Sequence, residues 1–218
     1  MRRIRKQVFP PTPRNLLHLH QLLQLEENQE FSLTFQTPPN LFYQGPLMAN
    51  GVFAGLLFYN TAYLEEIVEE LTNVTVAGCD GTFKTTPKTT DNDCYQLFTF
   101  QVVYKMWCVN YSFPLVYALL TGKTEEIYRE LLFRYIRNTV PLQYENVTII
   151  TDYERALINA IGCYQYGDHS HLARDCSSSG PLATHSSSPT PSSYIFDVTI
   201  VVTERLLGPA DQSDPSGY

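Results

Sequence analysis

Two aspartates stand where a chain could do metal chemistry. Asp80 closes the apolar run Val74-Thr75-Val76-Ala77-Gly78-Cys79, and Asp152 closes Val147-Thr148-Ile149-Ile150-Thr151. Each falls at the C-terminal end of a predicted strand. Carboxylates that meet at neighbouring strand ends repel each other unless a hard cation lies between them, so the pair is a candidate Mg2+ or Mn2+ site with oxygen ligands. Structural duties compete for the same side chains. Asp80 can open the turn at Gly81, and Asp152 can cap a helix beginning at Tyr153.

Other groups offer weaker chemistry. Cys163, His169, His171 and Cys176 supply two thiolates and two imidazoles, but their spacing, C-x5-H-x-H-x4-C, matches no common zinc module. Glu65, Glu66, Glu69 and Glu70 repeat at helical spacing opposite Leu64, Ile67, Val68 and Leu71, which makes them a solvated helix face. Arg2, Arg3, Arg5 and Lys6 form either a solvated tail or a phosphate-binding arm.

Composition bounds what these residues can belong to. With 218 residues, 44% of them hydrophobic, the chain can bury one good core but hardly two. A net charge of −7 excludes a uniformly basic coat for nucleic acid, so any contact with a polyanion must be local. Five cysteines without a C-x-x-C pair read as reduced thiols inside a cell. No apolar stretch reaches the length of a membrane span, and no apolar segment follows the basic start as a signal peptide requires. The sequons at Asn73, Asn110 and Asn146 are therefore read as chance matches.

The elements that must position the two aspartates follow from periodicity. Leucines at helical spacing predict a helix over 15–28 with Asn15 as its cap, and the alternation Phe31-Ser32-Leu33-Thr34-Phe35 predicts a half-buried strand. A helix is expected over 62–71. From Val74 the pattern turns to strands, with runs at 74–80, 95–105 and 108–120 reading as an antiparallel meander. A helix over 124–138, a strand over 146–152 and a helix over 153–163 complete a mixed sheet with helices on its faces. The Ser/Pro-rich stretch from Cys176 to Ser193 cannot offset its chain entropy and is expected to be disordered. Residues 194–207 could form one isolated strand without a partner.

Several blocks, in order, carry a resemblance to a known family. Gly78-Cys79-Asp80-Gly81-Thr82-Phe83-Lys84 with Pro87, and then Tyr95-Gln96-Leu97-Phe98-Thr99-Phe100, are similar to the start of the Mutator-like element (MULE) transposase domain. The similarity continues through Phe113-Pro114-Leu115-Val116-Tyr117-Ala118-Leu119-Leu120, the Lys123-Thr124 pair with Tyr128, and Ile149-Ile150-Thr151-Asp152-Tyr153-Glu154-Arg155-Ala156. The resemblance implies an α/β, RNase H-like mixed sheet: three antiparallel strands, helix, parallel strand, helix. It also implies metal-dependent DNA cleavage and strand transfer by two aspartates and a glutamate that hold two divalent ions, with Asp80 as the first acid and Asp152 as the second. DNA at transposon ends, and other transposase subunits, would be the partners, without a membrane. The nucleus would be the place of work, and the cytoplasm otherwise.

Departures from the family pattern matter as much. The resemblance stops near Cys176, before the block expected to deliver the glutamate, so the third acid has no position to map onto. Glu204, an acid within a downstream apolar run, is a poor substitute, and Glu154 at a helix start suits the dipole better than a metal. Lys84 could touch backbone phosphate or simply be solvated. The expected organisation is a helix/strand lead-in over 1–73, a partial core over 74–176 and a divergent tail over 177–218. A sheet incomplete at its C-terminus would expose an edge and an apolar face, which predicts marginal folding. Two functions compete: a transposon-derived domain with an incomplete catalytic set, or a non-enzymatic interaction or DNA-binding protein that reuses the fold.

Overall fold

The computed structural model describes residues 10–83, 85–106, 109–152, 154–165 and 200–203. Helix α1 (Leu16–Leu23) starts where the side-chain oxygen of Asn15 accepts the backbone N–H of His18 at 2.8 Å. The expected strand at Phe31 does not form. Residues Glu26–Ser32 instead make a 3-10 helix, and only a single bridge, Leu33 to Leu41, survives from the alternation. Alternation over five residues is too short to nucleate a strand without a paired neighbour, and here Asn28 and Ser32 bond back to the carbonyls of Leu22 and Leu23.

A hairpin follows that the periodicity reading passed over. Strands β1 (Tyr43–Ala49) and β2 (Val52–Phe58) pair antiparallel across Asn50-Gly51, both at positive φ (51° and 77°), the two-residue turn that Asn-Gly favours. The hairpin docks on the sheet through β2, where Gly55 to Phe58 pair antiparallel with Leu120 to Tyr117. At Gly55, which faces Leu120, an added Cβ would run into the Leu119 carbonyl oxygen, so only glycine permits that close pairing. Two short helices, α2 (Thr61–Glu66) and α3 (Val68–Leu71), bury Leu64 and Leu71 and leave their four glutamates in solvent.

The meander is β3 (Val76–Thr82), β4 (Gln96–Met106) and β5 (Val109–Leu120), antiparallel throughout. Helix α4 (Glu125–Arg129) is capped by Thr124, widens into a π-helical segment at Glu130–Ile136 and ends in α5 (Arg137–Thr139). Strand β6 (Thr148–Asp152) returns parallel to β3, and α6 (Arg155–Gln165) packs Leu157, Ala160 and Ile161 into the core. With a last strand, β7 (Ile200–Thr203), the sheet order is β1-β2-β5-β4-β3-β6-β7.

The seventh strand corrects an expectation. Strand β7 (Ile200–Thr203) is not isolated, since it pairs parallel with β6 over Ile149 to Asp152 and covers the edge thought to be bare. A continuous β-branched run without alternation suits parallel pairing, where both faces of a strand can be covered. The remainder of the 177–218 tail, including the Ser/Pro tract, lies outside the described residues.

The two faces of the sheet are packed differently. One carries the main core, in which Phe98, Phe100, Val102, Ala77, Cys79 and Ile149 meet helix residues such as Tyr128, Leu131 and Ile136. On the other face α1 covers the end near β2 and β5 through Leu16, Leu56 and Leu119.

Candidate functional site

Strand alternation decides where the acids point. In β3 and β6 the odd-numbered residues Ala77, Cys79, Ile149 and Thr151 are buried against the helices. Asp80 and Asp152 therefore belong to the opposite face, and both are partly exposed. The parallel register pairs Cys79 with Thr151, so one further step along both strands brings Asp80 level with Asp152. Neighbouring strands run about 4.8 Å apart, which puts two carboxylates from adjacent parallel positions within reach of one cation. The sequence-predicted pair thus shares one face and one end of the sheet.

The donor set fits the cation the resemblance implies. Both groups are hard oxygen donors, neither is buried, and each can meet solvent as a hydrated Mg2+ or Mn2+ requires. Among the described residues no group of three His, Cys, Asp or Glu side chains is gathered for a metal.

Next to Asp152 runs a polar chain that the periodicity reading did not assemble. Glu154 opens α6, donating its backbone N–H to the Asp152 carbonyl at 2.8 Å. Its Oε1 accepts the Tyr128 hydroxyl at 2.8 Å, and that hydroxyl in turn accepts the Gln96 amide at 2.5 Å. Gln96 and Tyr128 are fully buried. Burial pushes the Glu154 carboxyl above its ordinary range, and the Asp152 charge adds to the rise, while the Tyr128 hydrogen bond and Lys123 pull the other way. Tyr128 is held well above the usual phenol range, first by burial and then by Glu154. Cys79 is likewise raised by burial and by Asp152. Asp152 adds a smaller contribution than burial to each of these rises. Glu154 is therefore engaged with Tyr128 as well as placed at the helix start. The signal for this chain in the sequence was a glutamine inside the aromatic and β-branched run of β4, where an amide needs a partner.

The side chain of Gln96 lies over Gly81. A Cβ there would come within 3.0 Å of Gln96 Oε1, an oxygen that is buried and has no hydrogen-bond partner among the described residues. Glycine directly after Asp80 thus leaves room for the amide beneath the site.

The remaining sequence candidates fall outside the described residues: Lys84, the basic start at Arg2, Arg3, Arg5 and Lys6, the histidines and Cys176 of the zinc quartet, the side chain of Cys163, and Glu204. No helix among the described residues is long and apolar enough to cross a membrane.

Compared with known proteins, residues 76–172 match the family model of the MULE transposase domain. The matched segment begins with β3 and runs through β6 and α6, so it contains both aspartates, while the β1–β2 hairpin and β7 lie outside it. No curated protein and no solved structure matches the chain.

Proposed function

From a chain that carries a MULE transposase domain match over residues 76–172, we propose a transposon-derived protein whose domain is RNase H-like. In this reading Asp80 and Asp152 are two of the three acids of a DDE-type site for phosphodiester cleavage and strand transfer in DNA. The single observation that supports it is the parallel β3–β6 register, which pairs Cys79 with Thr151, the residues directly before the two aspartates. Support for the fold comes from the order β5-β4-β3-β6, an antiparallel meander with a parallel strand returning beside its first member. Asp80 and Asp152 would hold a divalent Mg2+ or Mn2+, which would supply Lewis-acid stabilisation of charge at the scissile phosphate.

The chain's own residues set the frame for that chemistry. Asp80 and Asp152 supply charge and oxygen ligands. The Gln96–Tyr128–Glu154 chain ties the start of α6 to the core and so fixes the strand end that bears Asp152. The catalytic set is incomplete, because the family resemblance gives no position for the third acid, and DNA would be held without turnover. Such a protein would work in the nucleus.

Manganese binding followed by electron paramagnetic resonance tests the pair. Weak binding that both Asp80→Asn and Asp152→Asn abolish is expected, and binding indifferent to either change would overturn the site. A supercoiled-plasmid nicking assay with Mg2+ or Mn2+ should show no cleavage above background. Cleavage lost in Asp80→Asn would refute the incomplete set.

A further inference from the structure

Three side chains from three separate segments meet at the end of the sheet that bears the acids. Phe83 directly follows β3 and Tyr95 directly precedes β4, with ring centroids 5.6 Å apart and planes at 85°. Lys123, between β5 and α4, holds its Nζ 5.9 Å from the Phe83 centroid and 5.6 Å from the Tyr95 centroid. Both rings remain open to solvent, at 44% and 45% exposure, although aromatic rings of this size gain most when covered. Among the described residues no carboxylate lies within ion-pair distance of Lys123, whose charge is spent on the two rings and on a longer-range pull on Glu154.

An exposed aromatic pair next to an unpaired cation is the combination that takes single-stranded nucleic acid, with base on ring and phosphate on ammonium. Its location fits that use. Phe83 is three residues beyond Asp80, so the two Cα atoms lie at most about 10 Å apart, which is about three stacked nucleotide steps. In a chain of net charge −7, a lysine with no carboxylate within ion-pair distance among the described residues, at the same end of the sheet as the acids, is also a local place for a phosphate to be held.

We propose that Phe83, Tyr95 and Lys123 form a platform that stacks one unpaired base of a DNA strand, about three nucleotides or fewer from the phosphate at Asp80 and Asp152, with Lys123 on the adjoining phosphate. The proposal rests on the reading of the acid pair as a phosphodiester site, and it adds that the preferred substrate is a frayed or single-stranded end over intact duplex. Lys123 moves from the ring faces to the phosphate when the base enters.

The test uses the full chain and a duplex with a three-nucleotide unpaired end that carries 2-aminopurine, in buffer with Mn2+, together with the fully paired duplex. The expected result is quenching of 2-aminopurine at the unpaired end, and affinity about fivefold or more below wild type in Phe83→Leu and Tyr95→Leu. Lys123→Gln should keep the quenching while the slope of log affinity against log salt falls by about one. Both rings are exposed, so the leucine variants should fold as the parent does, which circular dichroism checks. No binding of the frayed duplex, quenching unchanged in both leucine variants, or equal loss of affinity for the fully paired duplex would each overturn the platform. Manganese binding measured on the same samples separates the two readings. Manganese bound without quenching sinks the platform alone, and quenching without manganese binding supports the platform while sinking the acid pair.

Discussion

The two faces of the same strands divide stability from chemistry. In β3, β4 and β6, residues one apart along the chain serve opposite ends: Cys79, Phe100 and Thr151 are buried under the helices, while Asp80, Thr99 and Asp152 face the other way and stay partly exposed. A side-chain period of two lets one strand present a hydrophobic ridge and a ligand row without compromise between them. Substitutions on the helix-covered face should therefore change folding with the acid pair intact, and substitutions of the partly exposed Asp80 and Asp152 should change binding with folding intact.

The largest effect is expected on the packed face. Phe100→Ala removes a ring that is 1% exposed at the centre of the main cluster and should cost about 3–5 kcal/mol in urea unfolding. A cost below about 1 kcal/mol would mean that the helix-covered face is not the core. Tyr128→Phe comes next. It strands the buried Gln96 amide and deprives Glu154 of its donor, a loss of about 1–3 kcal/mol that thermal unfolding can read. If the change proves neutral, the polar chain contributes nothing to holding the start of α6.

Thiol chemistry sharpens the contrast further. Burial first, and the nearby Asp93 charge second, push the Cys94 thiol up to about 11, and Cys79 is raised as well. An acid whose folded pKa lies above its unfolded value holds its proton more tightly in the native state. Stability should then fall as pH climbs above about 8.5, where unfolded thiols ionise first, and continue to fall towards pH 11. Iodoacetamide labelling followed by peptide mass spectrometry should find both cysteines slow at pH 8 in the folded chain and fast in urea. Rapid native labelling would place them outside the core.

The smallest stability effect belongs to the open face. Asp80→Asn, on a partly exposed residue, should shift unfolding by no more than about 0.5 kcal/mol while it abolishes manganese binding. A large destabilisation would show instead that Asp80 serves the turn, which is the structural duty that competes for the same residue.

How much could be read in the sequence varied with the length and strength of the local pattern. The meander, the 124–138 helix, the strand ending at Asp152 and the helix after it were legible, because each is a long run of one period with a cap or turn at its end. The β1–β2 hairpin was signalled by Asn50-Gly51 between apolar runs, but Gly45, Pro46 and Gly55 broke the alternation that would have drawn attention to it. The strand at Phe31 failed for the opposite reason, since good local alternation had no partner strand to pair with. Of the site, the two acids were visible as aspartates that close apolar runs; Asp152 does end β6, whereas β3 runs two residues past Asp80 to Thr82. The Gln96–Tyr128–Glu154 chain and the Phe83, Tyr95 and Lys123 group were not, because their members are separated by many residues and only the fold brings them together.

By itself the sequence determined the meander, the strand that ends at Asp152 and the helices on either side of that strand, since those are local consequences of period and propensity. Only the tertiary structure decided that β6 lies parallel to β3 in a register that pairs Cys79 with Thr151, the residues before the two acids, and that β7 covers the β6 edge. Pairing partners and register depend on contacts between residues remote in the chain, which no local pattern encodes.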